Sequence, residues 1–281
     1  IKIPDNERCY VDCAVHYKNV LKRINNGSVT NNILDNNKNQ KSIVMGTSCW
    51  GEEYLKTFIN YCLPSLCSKG NLQTLVKHRK VILFIQTNLE GKLYLSKALI
   101  IKKLKKMGIN ILYEIINNKL INLINKNPNF VYWHLGMCQS IDMALASKIK
   151  ADYHLLMPDT LYSENHFEGI MNVVDQNIKV ITRLILSTKK EQIDIEIKKY
   201  KNDDNVISVP ASDLCSLSLK HISLISENWI ITNKNINKEM STNPFIAFEN
   251  KSSLEIFAGH QTILFLANEI IKINKQRFFV A

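Results

Sequence analysis

Apolar and polar positions along this chain fall into blocks, and between about residues 42 and 187 the blocks alternate between two periods. The runs "SIVMGTS", "KVILFIQT", "INILYEI", "ADYHLLMPD" and "KVITRLILS" are short, nearly continuously apolar and bounded by Gly, Pro or polar residues. That pattern predicts buried strands. The intervening blocks carry helical spacing. "EEYLKTFINYCLPSL" places Tyr54, Leu55, Phe58, Tyr61, Cys62 and Leu66 on one side, and "LYLSKALIIKKLKKMG" reads as one amphipathic helix closed by Gly108. A long helix covers much of "WHLGMCQSIDMALASKIK", and "HFEGIMNVVDQ" is another. Strand and helix in regular succession predict an α/β fold: a mostly parallel central sheet, Rossmann-like, with helices on both faces.

The flanks read differently. Residues 1–40 hold a helix in "CYVDCAVHYKNVLKRI" and then an Asn-rich linker without apolar periodicity. Residues 41–190 form the α/β core, and 191–281 a smaller C-terminal α+β portion of the same domain. In that portion "STKKEQIDIEIKKYKNDD" is expected to be exposed, and "VPASDLCSLSLKHISLI" to be a helix capped near Ser212 or Asp213. "NWIITN" and "PFIAFEN" read as short strands, and "HQTILFLANEIIKI" as a helix or a strand-to-helix element. No internal repeat is present.

Composition narrows the class. With 281 residues, 46% hydrophobic and 22% charged, the chain is long enough for a sizeable core and too apolar for disorder. The net charge is +11, from 36 Lys and Arg against 25 Asp and Glu. The lysines are scattered among Asn and Ile, as an AT-rich coding bias produces; a field selected for anionic partners is the alternative. The "KKLKKMG" run reads as a solvated helix face. Neither point identifies nucleic acid as a partner. The seven cysteines, at 9, 13, 49, 62, 67, 138 and 215, sit in apolar patterns and read as reduced cytosolic thiols. Cys9, Cys13 and His16 have a spacing that a helix turns into metal ligands, but no fourth ligand accompanies them, so a helix face is the simpler reading. No run is long enough to span a membrane and no signal succession opens the chain. The expected location is cytoplasmic, with peripheral contact at the inner face of the membrane left open.

In an open parallel sheet, ligands bind outside the carboxyl ends of the strands. That rule selects Thr47 to Gly51, Gln86 to Asn88, Glu114 with its neighbours, and Pro158 to His166. Pro158 cannot donate to a sheet ladder, so it stops its strand and leaves Asp159 in the following loop. Asp159 then either caps a turn through the local backbone or serves a site; Ser163 is a candidate cap for the helix beginning near His166. Trp50 has the shape to stack on a base, Thr47, Ser48, Gln86 and Thr87 offer hydrogen bonds at the same rim, and Arg183 is a candidate phosphate contact. His134 and His221 read as structural.

The span "WHLGMCQSIDMALASKIKADYHLLMPDTLYS" orders Gly, a small-residue helix, an apolar strand and an acidic turn in a way that resembles the nucleotide-sugar-binding half of GT-A-type glycosyltransferases. There a helix packs beneath the central strand, and the strand delivers an acidic motif of two aspartates flanking one residue. The matching triplet here is Met157-Pro158-Asp159, so the first acid is absent. "SCWGEEYLKTFINYCLPSLCSKGNLQTL" adds to the likeness, which covers about residues 43 to 185. The resemblance implies transfer of a sugar from a nucleoside diphosphate donor to a glycan, lipid-linked or protein acceptor. It also implies a divalent cation, Mn or Mg, with Asp159 and the late His260 as ligands, and Thr47, Ser48, Trp50, Gln86, Thr87 and Asp159 around the donor. Residues 191–281 would then form the acceptor side.

The chemistry sets its own requirements. A departing diphosphate needs a cation, Lys and Arg, or helix-start donors, and a hard cation wants oxygen ligands. Direct transfer needs a base near the acceptor hydroxyl, for which Glu164, His166, Glu168 and Asp213 are candidates. Two other readings compete: a catalytically silent nucleotide- or glycan-binding module, and a nucleotidyltransferase. "GTSCWGEEY" lacks the basic residue that a nucleotidyltransferase brings after its first strand. A dinucleotide redox enzyme is disfavoured because no G-x-G-x-x-G follows any of the strands, and no local context singles out one cysteine as a nucleophile.

Overall fold

Strand β1 (Ser42–Ser48) lies inside a sheet whose other members come from distant parts of the chain. The computed structural model describes residues 5–30, 40–183 and 187–223, together with strand segments 230–231, 245–249, 253–258 and 262–266. β2 (Lys80–Thr87) pairs parallel with one edge of β1 and β4 (Asp152–Leu155) parallel with the other; β3 (Asn110–Ile115) adds outside β2. Beyond β4 the sheet continues with β9 (Thr262–Leu266), antiparallel to both β4 and β5 (Val180–Arg183), giving the order β3-β2-β1-β4-β9-β5. β6 (Ile230–Ile231), β7 (Phe245–Glu249) and β8 (Ser253–Ala258) form a separate three-stranded sheet.

β1 and β2 are apolar on both faces because both faces are covered. Ile43 and Met45 pack with Val81, Leu83 and Ile85 under α2 (Glu52–Thr57), α3 (Leu63–Leu66), α4 (Leu72–His78) and α9 (His166–Asp175). Val44, Ile82, Phe84, Tyr153 and Leu155 face α1 (Asp5–Asn25), α7 (Asn118–Asn125) and α8 (Pro128–Lys148), where Tyr17, Val20, Ile24, Ile124 and Ile141 complete a second core. α8 starts with Pro128 in its first turn, where a missing N–H costs nothing, and lies along β1 and β4. The expected α/β architecture is therefore present, with four adjacent parallel strands, β3-β2-β1-β4, covered by helices.

Several elements differ from expectation. The single helix expected over 93–108 is two, α5 (Leu89–Lys97) and α6 (Leu99–Lys106), with Ala98 extended between them at φ −65° and ψ 133°. Leu95 and Leu104 would point to opposite sides of one continuous helix at 3.6 residues per turn; the break turns both into the core. Gly108 closes α6 as expected, at φ 87°, with Gly108 N–H donating to Lys105 O and Ile109 N–H to Leu104 O in a Schellman arrangement. β4 is shorter than the 151–159 run: after Leu156 N–H donates to Gly46 O the chain leaves the ladder ahead of Pro158. The helix over 52–66 contains a π-helical turn, Phe58–Cys62, directly before Pro64, whose absent N–H leaves a preceding carbonyl without its usual partner.

In the C-terminal portion, the charged run expected to be exposed folds as α10 (Lys190–Ile197) and a 3₁₀ turn (Lys198–Tyr200), because Ile193 and Ile197, four residues apart, bury one stripe. α11 (Ala211–Lys220) begins ahead of the expected cap: Pro210 holds that position, and Ser212 and Asp213 lie in the first turn. Ser163 likewise caps nothing. Asn165, in the left-handed region at φ 59°, precedes α9.

Candidate functional site

The carboxyl ends of β1 and β4 are where the strand order reverses, since β2 and β3 lie on one side of β1 and β4 on the other. A cleft of about 1030 Å³ opens beside that point. Its near edge is the loop after β4, from Met157 to Ser163; α2 and the π-helical turn supply Glu53, Tyr54 and Tyr61; α9, α10 and α11 form the far walls. Asp159 is exposed on the rim. It is close enough to the buried Cys49, just past β1, for its charge to add to the effect of burial, and together they push that thiol up to about 12.

The loop carrying Asp159 is held from below. Ser65 Oγ accepts from Tyr162 N–H at 3.1 Å and donates to Cys62 O at 2.8 Å. Asn71 is fully buried, its Nδ2 donating to Ser65 O, Ser68 Oγ and Ser163 O while its Oδ1 accepts from Phe167 N–H, so one amide fixes both the loop and the start of α9. Asn165 N–H and Glu168 N–H donate to Lys69 O and Gly70 O. Gly70 sits at φ 73°, and a Cβ there would fall 2.6 Å from Asn165 Cα. Asn71→Ala is expected to lower unfolding free energy by about 2 kcal/mol in urea denaturation, because it strands several buried partners at once.

The cleft has two chemical halves. Leu161, Ile170, Val173 and Leu214 make an apolar wall, while Glu53, Tyr61, Lys190 and Asp194 make a polar one. Lys190 Nζ meets Asp194 Oδ2 at 2.6 Å and lies 5.6 Å from the centre of the Tyr61 ring. Burial and a hydrogen bond to Asp194 push the Tyr61 phenol up. The lining thus carries three carboxylates, Glu53, Asp159 and Asp194, against one lysine that is already paired. An anionic ligand entering here needs a cation or positive groups from beyond the lining. Among the described residues no three His, Cys, Asp or Glu side chains lie together as a metal cage. A lone carboxylate at the rim fits a hard cation held chiefly by ligand oxygens and water, as magnesium sites are built.

The structure separates the sequence candidates into groups. Asp159 and His166 line the cleft, and His166 packs edge-on to Tyr162 with ring centres 4.9 Å apart. Glu164, Glu168 and Asp213 are not among the lining residues: Glu164 N–H donates to Val209 O, Glu168 is exposed in the first turn of α9, and Asp213 accepts from Tyr200 OH at 2.8 Å. Thr47 and Thr87 are buried at the strand ends. Gln86 does not face the rim; it is buried under the sheet, its amide donating to Cys138 O and to Asp142 Oδ1, both at 2.7 Å. Ser48 lies close to Cys138 on the same side. Trp50 turns toward that side too, donating to Asn125 Oδ1 and meeting the His134 ring edge-on. Glu114 is buried against Arg23 of α1; burial pushes its carboxyl up and the guanidinium opposes this. His260 lies outside the described residues.

The sequence reading missed Glu53, Tyr61, Lys190 and Asp194. The one signal for the last two was their spacing of four residues within a charged run, which reads equally as a surface pair. Beneath the sheet, Tyr17 OH, His134 and Cys138 form a buried contact set in which desolvation leaves every group neutral: His134 is pushed down to about 3 and Cys138 up to about 12. Neither a protein-family model, nor a curated protein, nor a solved structure matches this chain.

Proposed function

We propose that the chain is a glycosyltransferase that moves a sugar from a nucleoside diphosphate donor to a glycan, lipid-linked or protein acceptor, working in the cytoplasm. The observation that carries this reading is the position of Asp159, exposed on the rim of a large cleft beside the β1/β4 switch point, in the loop that follows β4, a strand with the long helix α8 packed beneath it. Those are the placements that the resemblance to GT-A-type enzymes implies for a donor site. A divalent cation at Asp159 would supply the charge that stabilises the departing diphosphate. Of the four base candidates, His166 lines the cleft, and its imidazole is the group to take the proton from an acceptor hydroxyl. The apolar wall of Leu161, Ile170 and Leu214 excludes water from that end, and the Tyr61–Asp194–Lys190 set offers hydrogen bonds to a sugar at the other. The free cysteines among the described residues fit a reducing compartment.

The experiment is titration of UDP and several UDP-sugars with and without Mn²⁺, with donor hydrolysis followed in parallel. Asp159→Asn keeps the shape and removes the charge; it is expected to weaken Mn²⁺-dependent donor binding about tenfold or more while leaving the melting temperature in place. A donor affinity with unchanged Mn²⁺ dependence in that variant refutes the role of Asp159. A second reading, a silent nucleotide- or glycan-binding module, draws on Met157 standing where the family motif has its first acid. Donor binding without turnover selects it.

A further inference from the structure

α5 and α6 turn a mixed face of leucine and lysine to solvent. On α5 the buried positions are Gly91 and Leu95, and Leu89 and Leu93, one turn apart, point directly away from them at 55% and 53% exposure. On α6 the buried positions are Ile101 and Leu104; opposite them stand Leu99, at 78% exposure, and the exposed Lys102 and Lys106, with Lys103 half-buried on the flank. Across the two helices six lysines (92, 97, 102, 103, 105 and 106) meet a single acid, Glu90, whose carboxylate accepts from the amides of Asn88 and Asn118. None of the six forms an ion pair among the described residues.

A solvated face accounts for the lysines alone. It leaves three outward leucines on the same side without a reason, and isolated exposed leucines do not ordinarily align with a basic stripe. A nucleic acid would reward the charge but not the leucines. An anionic bilayer rewards both, since apolar tips enter the acyl boundary while ammonium groups stay at the headgroup phosphates. We propose that the α5–α6 face docks on an anionic lipid surface, with Leu89, Leu93 and Leu99 inserted and the lysines of α6 at the phosphates. Tyr54, exposed on α2, lines the cleft, and α2 meets α5 at Gly91, on the side away from the outward leucines. The docking does not depend on what the cleft binds.

The test is co-sedimentation of the full chain with vesicles of phosphatidylcholine alone and of phosphatidylcholine containing about one third phosphatidylglycerol. Binding is expected to the anionic vesicles only, and to weaken as salt is raised. Leu89→Gln/Leu93→Gln/Leu99→Gln and Lys102→Gln/Lys103→Gln/Lys106→Gln should each cut partitioning about tenfold or more. Lys18→Gln/Lys22→Gln/Lys119→Gln removes the same charge from the opposite side of the sheet and should change it by less than about twofold. Equal binding to neutral vesicles, or equal loss in the control variant, overturns the proposal. So does loss in the lysine variant with full binding in the leucine variant, because that marks a general polyanion surface.

Discussion

Gly46→Ala is expected to destabilise the protein by about 3 kcal/mol or more, among the largest costs of any single methyl group in this chain. The carboxyl of Asp142, on α8, packs onto the Cα of Gly46 in the middle of β1: a Cβ built at Gly46 would fall 2.2 Å from Asp142 Oδ2 and 2.7 Å from Asp142 Cβ. A long side chain would swing aside. Aspartate has one methylene between its carboxyl and the helix, so relief requires α8 itself to lift from β1 and β4, and that opens the core shared with α1 and α7. Urea denaturation of Gly46→Ala, Asp142→Ala and the double variant tests this geometry. The double variant should be markedly more stable than the sum of the single losses, because removing the carboxyl makes room for the methyl group. A Gly46→Ala loss below about 1 kcal/mol would show that the sheet and helix are not in contact there.

The same carboxyl is expected to make stability fall as pH rises. Asp142 is fully buried, accepts from Gln86, and has Tyr153 beside it; desolvation holds it well above its ordinary value of 3.8, so the folded protein keeps its proton to a higher pH than the unfolded chain does. With the folded value raised, the contribution is complete below 3.8 and is lost as pH climbs toward the folded value, at about 1.4 kcal/mol per pH unit. Asp142→Asn is neutral at every pH and nearly the same shape. Its stability relative to the original protein should therefore increase as pH rises above 3.8 in denaturant titrations, and stop increasing once the buried carboxyl itself ionises. His134 acts in the other direction, because burial lowers it to about 3 and its contribution is lost as pH falls below 6.5. Both proteins share it, so it cancels in the difference. Parallel pH curves would mean that the buried carboxyl is ionised in the fold.

The central strands were legible because their sequences are nearly continuously apolar, the composition that a strand covered on both faces favours. The helices were legible where apolar and small residues predominate, as in α8 and α9, and not where Asn and Lys break up a short segment. α7 hides Leu120, Ile121 and Ile124 in "NKLINLIN", and "NLQTLVKH" gave no warning of α4. At Ala98 a single period runs through two helices, and only the demand that Leu95 and Leu104 both reach the core separates them. Pro158 announced the loop that carries Asp159. The polar wall of the cleft was invisible, since Glu53, Tyr61, Lys190 and Asp194 come from segments that only the folded sheet brings together. Gln86 shows a different limit. The rule for parallel sheets selects the end of β2, but the pleat decides whether a side chain there looks into the cleft or down onto α8, and Gln86 takes the second course.

β9 carries a consequence for the order in which the protein assembles. It fills the gap between β4 and β5, so during synthesis both strands leave the ribosome long before the segment that joins them, and Tyr153 waits for a register partner at Leu266. Until then the nascent chain presents two unsatisfied ladder edges, the kind of surface that recruits a neighbouring chain. Closure of the sheet is therefore a late, non-local step, and a chaperone that shields the edge of β4 during translation would act at the most vulnerable point of the folding route.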